Sequence, residues 1–428
     1  MLKARAASSS HASRLLRPSG RAATAGRDAT GSAMPSLSAC GRIPPAQGGS
    51  MKQAHGFAVA VATATLLMGA PAARASGGTT VHCGDTLTHS TKLTRDLSCP
   101  GTAPFALRIA GEGIVLDLGG HTIRRTGPEN LESVGITVDT NSMVRNGTIQ
   151  GFGKGVATTE SSDVRNLRLH QLALLDNRAA IFNGVVDMRF LITECRLTGN
   201  LVGLDGEPDG STGSFDVRSS VFTHNEVAMY VDFHDIDVLD STFTSNELAV
   251  FCRQGRVRFR SSTLAWNASV STIPNDNGFR QCDEMRFENT LISNNTALAP
   301  PEVPVWQPQK LSMLDSLVVS NGAGLQAAAD TVYIHGNTFF DNADGLSLTG
   351  RDWQVPVVLT GIIRGNQFLS NDGDGLRVEA PGKPTVLNNV ALGNTGFGLF
   401  APTAFDGGGN VARDNGAGNC VGLVCAPY

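Results

Sequence analysis

Three stretches of the chain repeat one pattern: VRSSVFTHNE at 217–226, VLDSTFTSNE at 238–247 and FRSSTLAWNA at 259–268. Each begins with an apolar residue and continues with a small polar residue, a second apolar residue and asparagine, at fixed spacings. The pattern extends outward from these stretches and covers most of the chain. Its asparagines are 21 to 29 residues apart and are Asn177, Asn200, Asn225, Asn246, Asn267, Asn295, Asn321, Asn342, Asn371 and Asn394.

Two columns of apolar residues keep the same distance from every asparagine. The position eight before it holds Leu169, Ile192, Val217, Val238, Phe259, Phe287, Met313, Ile334, Ile363 and Val386. The position three before it holds Leu174, Leu197, Phe222, Phe243, Leu264, Ile292, Val318, Phe339, Phe368 and Ala391. One repeat cannot bury its apolar face alone, so coils of short strands stack about 4.8 Å apart and the columns become internal ladders. An α-helical solenoid would need 3.6-residue periodicity, which is absent, and a β-sandwich would not keep residue types in register.

Composition limits the partners of such a solenoid. Glycine accounts for 49 of 428 residues, and only 17% of residues are charged. Without residues 1–75, the chain retains 25 basic and 37 acidic side chains. A net-acidic body does not attract nucleic acid at long range, so we expect no nucleic-acid partner.

The N-terminal region is typical of an export signal. Lys52 precedes an apolar run from Phe57 to Ala70, and Ala73-Arg74-Ala75 is a small-x-small cleavage site, so residues 51–75 are predicted to be a signal peptide. The apolar run is too short to span a bilayer. Residues 1–50 are interpreted as a non-structural extension: an upstream stretch before the true start, an organelle transit peptide or a disordered tail. The solenoid domain is predicted over 76–428, in a secreted, periplasmic or cell-surface protein.

The entry segment carries a family resemblance. CGDT at 83–86, DLSCP at 96–100, VLDLGGHTI at 115–123 and NGTI at 146–149 resemble the first coils of the pectate-lyase-like superfamily, especially its secreted β-helix repeat proteins. The resemblance covers about residues 82–425. It implies an all-β fold, a right-handed single-stranded parallel β-helix of about a dozen coils. It also implies carbohydrate as the substrate class, although one fold hosts many activities.

Cysteine positions suggest crosslinks, because an exported chain favours disulfides. Cys83 and Cys99 flank a short segment before the first coil, and Cys420 and Cys425 close a small loop at the C-terminus. Cys252 and Cys282 fall on adjacent coils near one column and form a third candidate pair. Cys195 occupies the small polar column and is expected to be a buried free thiol.

The resemblance also implies where a site would lie, namely on the exposed face of one sheet near the middle coils. If the strand after each asparagine bend alternates, its outward positions place Glu207 and Asp232 about one strand spacing apart. Paired carboxylates of this kind can serve as acid and base. The predicted catalytic residues are Glu207, Asp232, Asp205, Arg253, Arg280 and His234, and the predicted sugar-stacking residues are Phe182, Tyr230 and Phe251.

A plain surface remains an alternative for the same region. An offset of 21 pairs Asp232 with Arg253, Asp235 with Arg256, and Asp237 with Arg258, as in an exposed charge ladder. The catalytic motifs of polygalacturonases and alginate epimerases are missing. The two hypotheses are therefore a polysaccharide lyase, epimerase or hydrolase, and a non-catalytic glycan-binding or structural solenoid; whether the chain is an enzyme stays open.

Cofactors and assembly complete the expectations. No cofactor or metal ion is expected, with calcium kept open because Asp372-Gly373-Asp374-Gly375 resembles the start of a calcium loop without completing it. Scattered histidines and methionines argue against copper. The expected partner is a polysaccharide or glycan, with no membrane span, and the expected state is a monomer.

Overall fold

A computed structural model describes residues 80–158, 164–206, 212–272, 282–298, 306–350 and 357–426. The predicted extension and signal peptide lie outside these residues. The described part contains β-strands and no helix, and every strand pairing in it is parallel. Strands are numbered here in chain order.

Each coil contributes up to three short strands, which lie on three faces of the molecule. The first-face strands are β1 Asp85–Leu87, β4 Leu107–Ile109, β7 Val134–Val138, β9 Lys154–Thr158, β11 Ala179–Asn183, β14 Val202–Gly206, β17 Val227–Asp232, β20 Leu248–Arg253, β23 Ser269–Thr272, β28 Leu325–Ala328, β31 Leu346–Thr349, β34 Leu376–Val378, β37 Phe397–Phe400 and β40 Gly418–Val421.

The second-face strands are β2 Thr91–Lys92, β5 Ile114–Asp117, β12 Met188–Thr193, β15 Gly213–Arg218, β18 His234–Leu239, β21 Arg256–Arg260, β24 Glu284–Glu288, β26 Lys310–Leu314, β29 Thr331–His335, β32 Thr360–Arg364, β35 Thr385–Leu387 and β38 Phe405–Gly408. The third-face strands are β3 Leu97–Pro100, β6 Thr122–Thr126, β13 Arg196–Thr198, β16 Val221–Thr223, β19 Thr242–Thr244, β22 Thr263–Ala265, β25 Leu291–Ser293, β27 Leu317–Val319, β30 Thr338–Phe340, β33 Gln367–Leu369, β36 Val390–Leu392, β39 Asn410–Arg413 and β41 Cys425–Ala426. Two longer strands, β8 Ser142–Gln150 and β10 Asn166–Leu175, run through the corner between the second and third faces.

The coils stack into a parallel β-solenoid of about 13 turns, which confirms the predicted fold class. The interior is made of the predicted ladders. Phe222 stacks on Phe243 with ring centroids 4.5 Å apart, and Phe259 stacks on Phe287 at 5.3 Å. Burying such aliphatic and aromatic side chains stabilises each by about 1.5–3 kcal/mol, so the apolar columns hold the coils together.

The recurrent asparagines form a buried hydrogen-bonded ladder at the corner between the third and first faces. The backbone N–H and the Nδ2 of Asn246 both donate to Oδ1 of Asn267, each at 3.0 Å. The same Nδ2 donates to the carbonyl oxygen of Phe222 at 3.1 Å. Each amide thus satisfies backbone groups that the bend leaves without strand partners, which explains the strict asparagine column.

The cysteines pair as predicted, with disulfides Cys83–Cys99, Cys252–Cys282 and Cys420–Cys425. Cys195 is free and buried. Burial raises the pKa of the Cys195 thiol to about 11, so the thiol stays neutral near pH 7 and acts as a small core residue.

Candidate functional site

The corner between the first and second faces differs from the other two corners in the lengths of its connections. Segments 159–163, 207–211, 273–281 and 351–356, which the structure does not describe, each join a first-face strand to the next second-face strand. In repeat architectures, insertions gather on one side of the stack, commonly beside the binding face. The first face borders this corner and also carries most of the predicted site residues, so it is the candidate functional surface.

One outward row of this face contains most of the predicted site residues. Strand register aligns Phe182 of β11 with Asp205 of β14, Asp205 with Tyr230 of β17, and Tyr230 with Phe251 of β20. Asp205, Tyr230 and Phe251 are half-buried, and Phe182 is buried. Successive coils thus bring together three aromatic rings and one carboxylate that are far apart in sequence.

The rings lie along the solenoid axis. Those of Tyr230 and Phe251 are stacked, with centroids 4.5 Å apart and planes within 6°. The Lys154 Nζ lies 4.0 Å from the centroid of the Phe182 ring, in a cation–π contact. The sequence predicted a row of open ring faces, but neighbouring side chains cover one face of each ring, so a ligand would meet ring edges and the remaining faces.

Asp232 and Arg253 continue the outward alternation at the ends of β17 and β20, and the structure buries them. The Arg253 Nε donates to Oδ2 of Asp232 at 2.9 Å, and an Nη of the same guanidinium contacts that oxygen. Their side chains are 0% and 11% exposed. The sequence placed Asp232 on an open surface beside Glu207, and this is corrected: the carboxylate is held in a buried ion pair, where losing its charge partner would be costly.

His234 lies inside the solenoid rather than on the first face, which corrects its expected position. Its ring is 0% exposed, with Nδ1 against the carbonyl oxygen of Asp232 and Nε2 at 2.8 Å from Nδ2 of Asn183. Because a carbonyl only accepts, Nδ1 carries the proton and Nε2 accepts from Asn183. Burial lowers the pKa of His234, so the ring is neutral near pH 7.

A glycine makes room for this histidine. A Cβ on Gly206 would lie 2.7 Å from Nδ1 of His234, closer than side chains approach. Asn183 accepts in turn from the N–H of Val185 at 3.1 Å and from Oγ1 of Thr158 at 3.2 Å. The cluster is a satisfied internal network beneath the first face and positions the end of β17.

Glu207 and Arg280 lie outside the described residues. Their predicted roles, and the proposed pairing of Glu207 with Asp232, stay predictions. Of the six predicted catalytic residues, the structure therefore places Asp205 and Arg253 on the outward side of the first face, with Asp232 buried against Arg253.

The second face carries the charge ladder that the alternative interpretation predicted. Asp235 is in register with Arg256, and Asp237 with Arg258. The Arg256 Nε donates to Oδ1 of Asp235 at 2.8 Å, and Arg258 also pairs with Glu284 at 3.0 Å. The Asp235–Arg256 and Asp237–Arg258 pairs are largely exposed, and each contributes little to stability, whereas the Glu284 carboxylate is buried.

Two features of this region were not predicted from the sequence. Lys154 reaches Phe182 from a neighbouring coil, and its position could have been found by extending the register to the first coils. Trp266 is 65% exposed and immediately precedes a ladder asparagine, where its backbone has a φ of 59°. A tryptophan at a left-handed bend is unusual and marks this corner as an exposed aromatic position.

Metal and membrane features can be stated for the described residues only. Across these ranges no group of three or more His, Cys, Asp or Glu side chains is arranged to hold a metal ion. Within the same part of the chain, no helix is long and apolar enough to cross a bilayer.

Comparison with known proteins adds one finding. No curated protein and no solved structure matches the chain significantly. A family model described as "Right handed beta helix region" matches residues 188–415, which is more than half of the chain. This range runs from β12 to Asn415, whose Oδ1 accepts from Nδ2 of Asn394 at the end of the ladder, and the described strands within it are all parallel. The chain therefore belongs to the right-handed β-helix family.

Proposed function

We propose that this protein is exported and binds a polysaccharide along its first face, on the row Phe182, Asp205, Tyr230 and Phe251. The observation that carries the proposal is the alignment of Asp205, Tyr230 and Phe251 in one outward row of this face, next to the corner where the connections vary most in length. The three disulfides support a location outside the reducing cytoplasm.

The chemistry of the row suits a sugar. Apolar ring surface from Tyr230 and Phe251 can pack against the C–H face of a pyranose, and the adjacent Asp205 carboxylate can accept hydrogen bonds from its hydroxyls. Because the row runs along the stack of coils, it can contact successive units of a linear polymer. A long, repeating ligand therefore fits this surface better than a single small molecule.

Binding is better supported than catalysis. The buried Asp232 is committed to Arg253, and His234 is inside the solenoid with both ring nitrogens bonded. A general acid or base has to reach the reacting atoms directly or through one water. Catalysis would therefore depend on Asp205 together with Glu207 or Arg280, and a turnover assay decides whether it occurs.

The test is a panel of polysaccharides, assayed for binding and for unsaturated or reducing-end products. Tyr230→Ala and Phe251→Ala are each expected to weaken binding to the preferred polymer about tenfold, from the loss of ring contacts. Tyr333→Ala is the matched control, because Tyr333 is a half-buried tyrosine on the second face. Equal affinity in all three variants, or no binding across a broad panel, would contradict the proposal.

A further inference from the structure

The third face carries a long outward surface with almost no charge. From β13 to β36, register aligns the two rows that flank the buried apolar column. Their eighteen residues include a single charged one, Arg196, and all but Thr223, Ala265 and Ser293 are partly or fully exposed. The rows are Arg196, Val221, Thr242, Thr263, Leu291, Leu317, Thr338, Gln367 and Val390, and Thr198, Thr223, Thr244, Ala265, Ser293, Val319, Phe340, Leu369 and Leu392. We call these eighteen residues the uncharged face.

The second face of the same coils is rich in charged residues, so the lack of charge on the third face is not general to these coils. The outward positions of β15, β18, β21 and β24 hold a network of ion pairs, among them Asp216 with Arg218 and Asp235 with Arg256. On the uncharged face, Val221, Leu317 and Phe340 are 39%, 40% and 41% exposed instead. Leu317 and Phe340 belong to a continuous apolar stretch over β25–β36, which marks an interaction surface. Its other members are half-exposed and are Leu291, Val319, Leu369, Val390 and Leu392.

We propose that the uncharged face is the interface of a homodimer, in which two copies of this chain pack face to face. Outside residues 1–75 the chain has 25 basic and 37 acidic side chains, so two copies carry net charge of the same sign. Packing through the uncharged face keeps these charges out of the contact, so that none has to be buried without a partner. The dimer departs from the monomer expected from the sequence.

The size of the face agrees with a dimer of modest affinity. Nine coils about 4.8 Å apart give a length of roughly 40 Å, and three-residue strands with their side chains give a width of roughly 12 Å. Each copy would bury about 500 Å², or about 1,000 Å² in total, at the lower limit of specific interfaces. The dimer should therefore form reversibly in the micromolar range.

A two-fold axis through β25 would bring the two halves of the uncharged face together. Antiparallel packing about that axis sets the threonine-rich strands β13–β22 of one copy against the more aliphatic strands β27–β36 of the other. A closed two-fold arrangement uses the same surface on both copies and does not propagate into fibres. The first face lies on another side of the solenoid and stays available, so this inference does not depend on the proposed function.

Sedimentation velocity over a range of protein concentrations tests the proposal. We expect the wild-type mass to rise from monomer to dimer, and Leu317→Lys to remain monomeric because it places a charge in each half of the interface. Phe405→Lys is the matched control and should dimerise, since Phe405 is 69% exposed but lies on the second face. Circular dichroism and thermal unfolding check that each variant is folded.

Two results would overturn the dimer. The first is a wild-type chain that stays monomeric at every concentration, or a Leu317→Lys variant that associates as the wild type does. The second is a Leu317→Lys variant with unchanged mass but weaker polysaccharide binding, which would make the uncharged face a glycan surface.

Discussion

At the residue scale, the corner between the third and first faces is formed by two consecutive residues, a ladder asparagine and the residue before it. The asparagine ladder supplies hydrogen bonds, and the residue before it adopts the left-handed region, as Ser245 and Asp341 do with φ of 55°. The asparagine column was visible in the sequence because its members are identical. The preceding position was not, because glycine, aspartate, serine, histidine and tryptophan all occur there and share only a backbone conformation.

Removing one ladder amide should destabilise the protein markedly. Asn246→Ala leaves the N–H of Asn225 and the carbonyl of Phe222 buried without their partner. At about 1–3 kcal/mol for each of the two orphaned groups, the expected loss is about 2–6 kcal/mol in the free energy of unfolding. Urea denaturation measures it, with Thr242→Ala on the surface of the adjacent strand as the control. Equal effects of the two substitutions would refute the role assigned to the ladder.

The buried histidine should make stability depend on pH. The pKa of His234 in the folded chain is lowered from 6.5 by burial, so the unfolded chain binds its proton more readily. The stabilising contribution is complete above pH 6.5 and is lost as the pH falls below it. We expect the melting temperature of the wild type to fall between about pH 6.5 and 5, and that of His234→Gln to fall less. Parallel pH profiles of the two proteins would contradict the assignment.

At the element scale, register was predictable but burial was not. The offset of 21 residues between repeats correctly paired Asp232 with Arg253, Asp235 with Arg256 and Asp237 with Arg258. The sequence treated these pairs as equivalent, whereas the structure buries the first and exposes the second. The pairing follows from the spacing of the repeats. Burial depends instead on how each pair packs against the neighbouring coils, and the local repeat pattern does not specify that packing.

The buried pair Asp232–Arg253 and the exposed pair Asp235–Arg256 allow a matched comparison of how burial affects the strength of an ion pair. Breaking the buried pair with Asp232→Asn or Arg253→Gln should cost about 3–5 kcal/mol, since one charge remains in a dry site. Breaking the pair between Asp235 and Arg256, whose side chains are 41% and 47% exposed, should cost less than about 1 kcal/mol. Two double-mutant cycles by chemical denaturation give the coupling energies. Similar coupling energies for the two pairs would contradict the burial of the Asp232 carboxylate.

At the scale of the whole molecule, stability is a sum over neighbouring coils, and the ends have the fewest neighbours. The last coil is also irregular, because Val386 pairs with Asp406 and the register shifts before Leu387 pairs with Gly408. Gly407, eight residues before Asn415, stands where the other coils have an apolar residue and adds no side chain to the core. The disulfides Cys83–Cys99 and Cys420–Cys425 secure the two ends, while Cys252–Cys282 lies in the interior.

Reduction should therefore loosen the ends first. Cys420 and Cys425 are partly exposed, whereas Cys252 and Cys282 are fully buried and shielded from a mild reductant. Hydrogen exchange with and without reductant should show protection lost over β1–β3 and β40–β41 and kept over β16–β22. A uniform loss of protection along the chain would mean that the ends are not held separately.

The measurement that tests the central claim most directly is hydroxyl-radical footprinting of the chain with and without its bound polysaccharide. The technique reads the solvent exposure of individual side chains, and aromatic residues on all three faces respond. We predict that the polysaccharide protects Tyr230 and Phe251 on the first face, while Tyr333 and Phe405 on the second face and Phe340 on the third oxidise as before. Protection of Tyr333, Phe405 or Phe340, with Tyr230 and Phe251 unchanged, would contradict the assignment of the first face.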